Sequence, residues 1–332
     1  MVYAIRVIQG FIMYIEDIDL PTEAYEVLNA QTLQSIMSSL TSSHELPLRF
    51  SYLGEGATRW DNAITVLSSE KQKALLPNYA SILKSLWECI GDSPVNVIDL
   101  GPGNGLQAKE LIDQLQSKDQ LHAYVGADIS SKMLVIASKN VRDWTHSETP
   151  VITHVKDFIK EDIDDIFNDE QLGTHPRVVL ILGGTLDNDA SPVEVLRKIS
   201  QYLRPKDLLL YDVLTPIDAP SSQAAFLLSP RHSYLLELLG IRSDLYKTQR
   251  IYDASSHTRV DQIIPTADIE LTYKINNIPR VATLREGEPI TIWRYHSISP
   301  QEAKDNLQQS GLRVIATSDS KERRSLLFLC AV

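Results

Sequence analysis

The chain has 332 residues, 43% of them hydrophobic and 23% charged, enough to bury one large core or two modest ones, and it carries no mark of a disordered or fibrous protein. A formal net charge of -11 provides no global basic field for drawing in phosphate backbones, so a small molecule is the expected partner and nucleic acid is not. Cys89 and Cys330 are the only cysteines, too few for a disulfide framework or a zinc site; both are read as small buried hydrophobes of a reducing, cytoplasmic protein.

No run reaches the ~20 apolar residues that span a bilayer. The stretch from Val2 to Ile15 is apolar, but Arg6 and Gln9 interrupt it and no small-residue cleavage site follows, so it is not taken as an export signal. Leu28, Leu33, Ile36 and Leu40 recur at helical spacing after Pro21, and residues 1–50 are read as a small helical cap. The stretch from Tyr52 to Asp61, rich in glycine, aromatic and charged residues, is read as part of the lid and substrate wall; the plainer alternative is an exposed loop ending in an N-cap at Asp61. From Glu70 to Ile90 the apolar positions again fall three and four apart, and Gly91 and Pro94 end that helix.

The texture then changes to short apolar runs alternating with helical segments. Strands are expected over Val95–Leu100, His122–Asp128, Val151–Val155, Arg177–Leu182 and Asp207–Val213, with helices over Leu106–Leu115, Ser131–Val141 and Pro192–Leu203. Near-continuously apolar strands alternating with amphipathic helices predict an α/β fold with a mostly parallel sheet covered on both faces. The tail offers a helix over Pro300–Ser310 and then two strands around a polar turn, an antiparallel hairpin that finishes the sheet. Between Leu214 and Ser299 a helix over Pro230–Leu239 and strands over Ile269–Ile275 and Pro289–His296 interrupt the alternation, too long and too patterned for a loop. The expected division is therefore a Rossmann-like domain of residues 61–213 plus 300–332 and a smaller α+β substrate-covering domain of residues 1–60 plus 214–299.

Gly101-Pro102-Gly103-Asn104-Gly105 stands where the first strand hands over to a helix, a place where a tight turn must approach a ligand without a Cβ in the way. A dinucleotide fold wants a glycine at 106, but that residue is Leu106, which favours S-adenosyl-L-methionine over NAD. Asp128 ends the second strand where a carboxylate can accept from both ribose hydroxyls, its alternative use being a helix N-cap. Asp157 and Phe158 follow the third strand and suit an acid for the adenine amino group and a ring over the base, the alternative being a surface turn. No P-loop lysine, no histidine pair beside a glutamate and no GxSxG elbow occurs, so neither a kinase, a metal site nor a hydrolase is expected.

The runs Val97-Ile98-Asp99-Leu100-Gly101-Pro102-Gly103, Val125-Gly126-Ala127-Asp128-Ile129-Ser130, Lys156-Asp157-Phe158 and Leu182-Gly183-Gly184-Thr185-Leu186-Asp187-Asn188 together resemble the histidine-specific methyltransferase family. That family includes the ergothioneine-pathway enzyme, which trimethylates the α-amino group of histidine, and relatives acting on prenylated tryptophan. The resemblance implies a class I methyltransferase fold and a cofactor site made by Gly101, Pro102, Gly103, Asp128, Ile129, Asp157, Phe158, Gly183, Gly184 and Thr185. It also implies that Asn188 faces the acceptor amino group, its plainer use being an N-cap or a turn; apart from the resemblance, Asn188, a tyrosine such as Tyr52 or a bound water could orient a neutral amine. Where the family places an acid and a serine that grip imidazole, this chain has Ile292 and Arg294, and Phe226 stands for the tyrosine that binds the amino-acid carboxylate. With Tyr52 and Trp60 as further wall, the expectation is N-methylation of a hydrophobic, aromatic, indole- or alkaloid-like small molecule in specialised metabolism. The competing readings are an amino-acid (histidine or tryptophan) N-alpha-methyltransferase, a non-catalytic S-adenosylmethionine-binding protein, and an NAD-dependent dehydrogenase. Oligomeric state leaves no trace in the sequence.

Overall fold

The computed structural model describes residues 3–8, 11–70, 79, 81–186, 192–216, 219–320 and 325–332. In chain order the elements are β1 (Tyr3–Ile8), β2 (Phe11–Asp19), α1 (Thr22–Val27), α2 (Ala30–Ser42), α3 (Glu55–Glu70), α4 (Leu83–Ile90), β3 (Val95–Leu100), α5 (Lys109–Gln116), β4 (Leu121–Asp128), α6 (Ser131–Trp144), β5 (Val151–Val155), α7 (Asp164–Phe167), β6 (Arg177–Ile181) and α8 (Pro192–Ser200). There follow β7 (Leu208–Leu214), β8 (Ser222–Ala224), α9 (Pro230–Leu238), β9 (Tyr246–Asp253), β10 (Thr258–Pro265), β11 (Asp268–Ile275), β12 (Ile278–Leu284), β13 (Ile290–His296), α10 (Pro300–Gln309), β14 (Arg313–Ser320) and β15 (Ser325–Ala331). The chain divides into two compact units: Met1–Trp60 with Asp218–Tyr295, and Asp61–Ile217 with His296–Val332.

The second unit is built on a seven-stranded sheet of order β14-β15-β7-β6-β3-β4-β5. The five strands β5, β4, β3, β6 and β7 run parallel, and β15 is antiparallel to both its neighbours. The central strands β3 and β6 are buried along their whole length, as a sheet covered on both faces requires, and their Val, Ile and Leu side chains form the core with α8 and α10. The order reverses between β3 and β6, and the crevice at the carboxyl end of such a switch point is the place where α/β sheets bind ligands.

At the opposite, amino end of this sheet Arg177, almost fully buried, is held by Asp207 through its backbone N–H at 2.8 Å and its Nε at 2.7 Å, with a further contact from the guanidinium. Nη1 and Nη2 also donate to the carbonyls of Phe167 (2.8 Å) and Tyr202 (2.6 Å), so each guanidinium nitrogen that leaves water finds an acceptor.

The first unit has two four-stranded sheets, β1-β2-β11-β12 and β13-β10-β9-β8. The N-terminal run is therefore a β-hairpin, with only residues 22–42 helical, and not the helical cap that the spacing suggested. Its density of Ile, Val, Phe and Tyr on either side of Gln9-Gly10 favours paired strands, and β11 extends the hairpin by running parallel to β2. The Tyr52–Asp61 stretch is also not a loop: a 3-10 turn over Leu48–Tyr52 leads straight into α3. Gly56 makes that junction possible, because a Cβ there would lie 2.0 Å from the Ser51 carbonyl. The helix expected over residues 70–90 is seen as α4; residues 71–78 and 80 lie outside the described residues. Cys330 is buried, burial pushing its thiol up to about 12, but Cys89, near the end of α4, is exposed and not the buried residue expected. No helix among the described residues is long and apolar enough to cross a membrane.

Removing one partner of the Arg177–Asp207 pair leaves the other charge buried alone. Asp207→Asn is expected to lower the unfolding free energy by about 3–5 kcal/mol, read from the urea midpoint. A change under ~1 kcal/mol in the same titration would show the pair to be unimportant to the fold.

Candidate active site

The loop after β3 is shaped by backbone that side-chain-bearing residues avoid. Gly101 and Gly103 have φ of 74° and 57°. A Cβ on Gly101 would approach Thr185 Cγ2 at 3.0 Å and Phe158 Cε1 at 3.5 Å, which shows that the loops after β3, β5 and β6 converge on this one glycine. A Cβ on Gly103 would meet nothing within 4 Å; that glycine faces open space at the crevice, as a backbone contact to a ligand requires. Pro102 packs beside Gly126 of β4. The turn closes through Gly105 N–H to the Pro102 carbonyl at 2.9 Å.

Asp128, at the end of β4, is 9% exposed. Burial raises its pKa to about 6, against the lowering effect of backbone N–H groups of Ser130, Gly103 and Ile129. The helix cap belongs to its neighbour: Ser130 Oγ accepts from Met133 N–H at 3.2 Å, which frees the Asp128 carboxylate from that duty. Asp157 Oδ1 accepts from the backbone N–H groups of Ile159 (3.2 Å) and Lys160 (3.3 Å), closing its own turn, and Phe158 is buried. Lys198 Nζ donates to the carbonyls of Phe158, Ile159 and Glu161 at 2.5, 3.0 and 2.9 Å and pins that turn from α8. Gly183 and Gly184 follow β6 with φ of 72° and 71°, and Thr185 Oγ1 donates to the Leu182 carbonyl at 2.7 Å. Asn188 lies outside the described residues.

Several groups at this edge carry no sequence motif of their own. Asp99 and Asp212 are buried at the carboxyl ends of β3 and β7, and burial raises each to about 7. Tyr124 donates to Asp99 at 2.9 Å, and Gly183 N–H and Ser325 serve Asp212, whose Oδ1 has no partner among the described residues. Asn104, almost fully buried, donates to Asp61 at 2.9 Å and accepts from Leu106 N–H at 3.2 Å, while Asn140 holds its carbonyl. An asparagine inside a glycine loop is the one available signal for this brace, because it is a turn former.

Apart from Asn188, the predicted acceptor residues lie in the first unit. Tyr52 and Trp60 are neighbours, their ring centroids 4.6 Å apart, and Trp60 Nε1 donates to Ser51 Oγ at 3.0 Å. Ile292 is buried on β13, and Arg294, exposed on the same strand, lies 3.5 Å from Glu45. Phe226 is elsewhere: the Arg250 guanidinium of β9, two strands from β13, covers its ring at 4.3 Å, and with Leu228 and Tyr246 it lines an open groove.

A parallel sheet ending in this glycine turn, a carboxylate at the end of the next strand and a closing antiparallel hairpin define a class I, S-adenosylmethionine-dependent methyltransferase. The chain belongs to the histidine-specific, SAM-dependent methyltransferase family, whose family model matches residues 32–332. Among solved structures it is similar to the CcbJ methyltransferase from Streptomyces caelestis, with 14% identity over 84% of this chain and 99% of that one and a TM-score of 0.46. It is also similar to the glycopeptide N-methyltransferase MtfA complexed with S-adenosyl-L-methionine (13%, 76% and 93%, TM-score 0.38). A third is the Burkholderia thailandensis 1,6-didemethyltoxoflavin-N1-methyltransferase (12%, 82% and 83%, TM-score 0.42). No curated protein sequence matches the chain at significant similarity.

The open space at Gly103 and the buried carboxylate of Asp128 fit the cofactor's amino-acid and ribose portions. An ionised Asp128 accepts from two hydroxyls, a protonated one from fewer. Affinity for S-adenosylhomocysteine is therefore expected to fall as pH drops below about 6, where Asp128 gains its proton. Asp128→Asn is expected to bind at least tenfold more weakly at pH 7.5, about 1.5 kcal/mol or more for a hydrogen-bonded charge, and to lose that share of the pH dependence. Parallel calorimetric curves for the two proteins between pH 5 and 7.5 would remove Asp128 from the cofactor site.

Proposed function

We propose that this methyltransferase N-methylates a hydrophobic, aromatic small molecule of specialised metabolism, indole- or alkaloid-like in its ring. The observation that carries the reading is a continuous series of rings within the first unit. Tyr52 and Trp60 (4.6 Å), Trp60 and His232 (5.5 Å), His232 and Trp293 (4.7 Å), and Trp293 and Tyr295 (6.0 Å) follow one another by centroid distance. Trp60 and His232 are buried within the series, and its half-buried rings Tyr52, Trp293 and Tyr295 favour planar apolar ligands through offset and edge contacts. Ile292 supports it, since a buried aliphatic chain cannot hydrogen-bond an imidazole.

The bound cofactor supplies a methyl group on a sulfonium, already activated for in-line displacement. The protein's work is to align a lone pair and exclude water. In this reading Asn188 and Tyr52 orient the acceptor nitrogen as a neutral amine through hydrogen bonds, and no strong base is required of them.

The test is methyl transfer to tryptamine, tryptophan and histidine, followed by mass spectrometry. An indole amine is expected to exceed histidine in kcat/KM by at least tenfold, and Asn188→Ala to lower the better value by about a hundredfold, the scale of a lost positioning contact. Histidine as the best acceptor would replace this reading with the amino-acid one, and no turnover with intact S-adenosylhomocysteine binding would favour a non-catalytic binder.

A further inference from the structure

A local cluster of guanidinium groups stands out in the first unit of a chain whose net charge is -11. On β10, Asp261 is fully buried and serves two guanidinium groups in fork geometry: Arg250 at 2.7 and 2.8 Å, and Arg259 at 3.2 and 3.0 Å. Its acceptor capacity is thereby committed. A third guanidinium, that of Arg231 in the first turn of α9, has its Cζ 4.5 Å from the centre of the Trp60 ring. Arg231 is half-buried and has no carboxylate partner among the described residues. The local balance is three guanidinium groups against one carboxylate.

Next to Arg231 in the chain, His232 is 8% exposed, its ring lying edge-on to Trp60 at 5.5 Å and stacked on Trp293 at 4.7 Å. Its Nδ1 is 3.1 Å from Ser229 Oγ, and its Nε2 is buried with no hydrogen-bond partner among the described residues. Burial, and next Arg231, lower its pKa to about 4, with Asp261 pulling the other way, so the ring is neutral at pH 7. In the tautomer in which the Ser229 hydroxyl donates to Nδ1, the proton of the neutral ring sits on Nε2, a second buried donor without an acceptor; this is the tautomer that an anion selects.

A half-buried cation and a buried N–H, both against the same tryptophan ring and both lacking acceptors, are costly unless something anionic completes them. We propose that Arg231 and His232 form an anion subsite on the Trp60 ring, and that it takes the carboxylate of an aromatic acceptor whose ring lies along Tyr52 and Trp60. The proposal rests on the aromatic-acceptor reading and adds to it a charge that Ile292 and Phe226 do not suggest. The guanidinium pairs with the carboxylate oxygens in its fork, and His232 donates to the same group.

The test is calorimetric titration of the full chain with indole-3-acetate, its uncharged amide indole-3-acetamide, and acetate. The wild-type protein is expected to bind indole-3-acetate at least tenfold more tightly than the amide, with acetate weaker than either. Arg231→Gln is expected to bring that ratio near one, and Arg231→Lys to retain part of it, since an ammonium keeps the charge but not the fork. Near-ultraviolet circular dichroism of each variant reports on packing around Trp60 and Trp293 in the first unit, and S-adenosylhomocysteine titration on the folding of the second. Equal affinity for acid and amide, no binding of the acid, or a ratio unchanged in the folded Arg231→Gln protein would each overturn the subsite. Methyl transfer to tryptamine, which has the ring and no carboxylate, separates the two ideas. Tryptamine turnover without an acid preference removes the subsite and leaves the aromatic acceptor, whereas an Arg231-dependent acid preference with no aromatic turnover does the reverse.

Discussion

The chemistry of the second unit depends on the cost of holding carboxylates in a dry sheet edge. Asp99, Asp128 and Asp212 sit at or near the carboxyl ends of three parallel strands, and burial raises them to about 7, 6 and 7. For an acid the sign is plain: a folded-state pKa above the unfolded value of about 3.9 means that the folded protein holds its protons longer, so stability is lost as pH rises through that window. For Asp128 the shift of about two pKa units corresponds to about 3 kcal/mol at pH values above both. A ligand that offers hydroxyl donors and a sulfonium cation returns part of that energy by stabilising the charged forms. Cofactor affinity and the strain of the free protein are thus two sides of one electrostatic fact.

The glycine loop serves the same end by geometry. Left-handed backbone at Gly101 and Gly103 lets the chain pass under the crevice, and the convergence of Thr185 and Phe158 on Gly101 ties the turns after β5 and β6 to the turn after β3. Lys198 and Asn104 then spend their polar atoms on main-chain carbonyls and a neighbouring side chain and hold those turns in place. None of these contacts is a motif, yet each fixes a motif residue.

Much of the second unit was legible because parallel strands buried on both faces leave a period that no other element imitates. β3, β4, β5, β6 and β7 were each expected within a residue or two of where they lie, as was the closing hairpin. The first unit was less legible. β9, β10 and β12 were missed because their sequences mix Arg, Gln, Asp and Thr with isolated apolar residues, the pattern of sheets with one wet face. The helical cap was a wrong inference because spacing after Pro21 was extended backwards over residues whose β-branched content argues for strand. The exposed-loop alternative for Tyr52–Asp61 fails because Gly56 is there not for flexibility but for lack of room beside the Ser51 carbonyl.

The charge balance around Asp261 was invisible for a different reason: Arg231, Arg250 and Arg259 are up to 28 residues apart and meet only through the fold. That distinction bears on specificity. An aliphatic residue such as Ile292 discriminates weakly, about 10–200-fold for a methylene-sized difference, because a hydrophobic wall rejects little. A buried donor left without its acceptor discriminates by about 10⁴–10⁵, because the wrong ligand strands a desolvated polar group. On the proposal above, acceptor choice is then set less by an apolar wall residue such as Ile292 than by whether the acceptor brings an anion to Arg231.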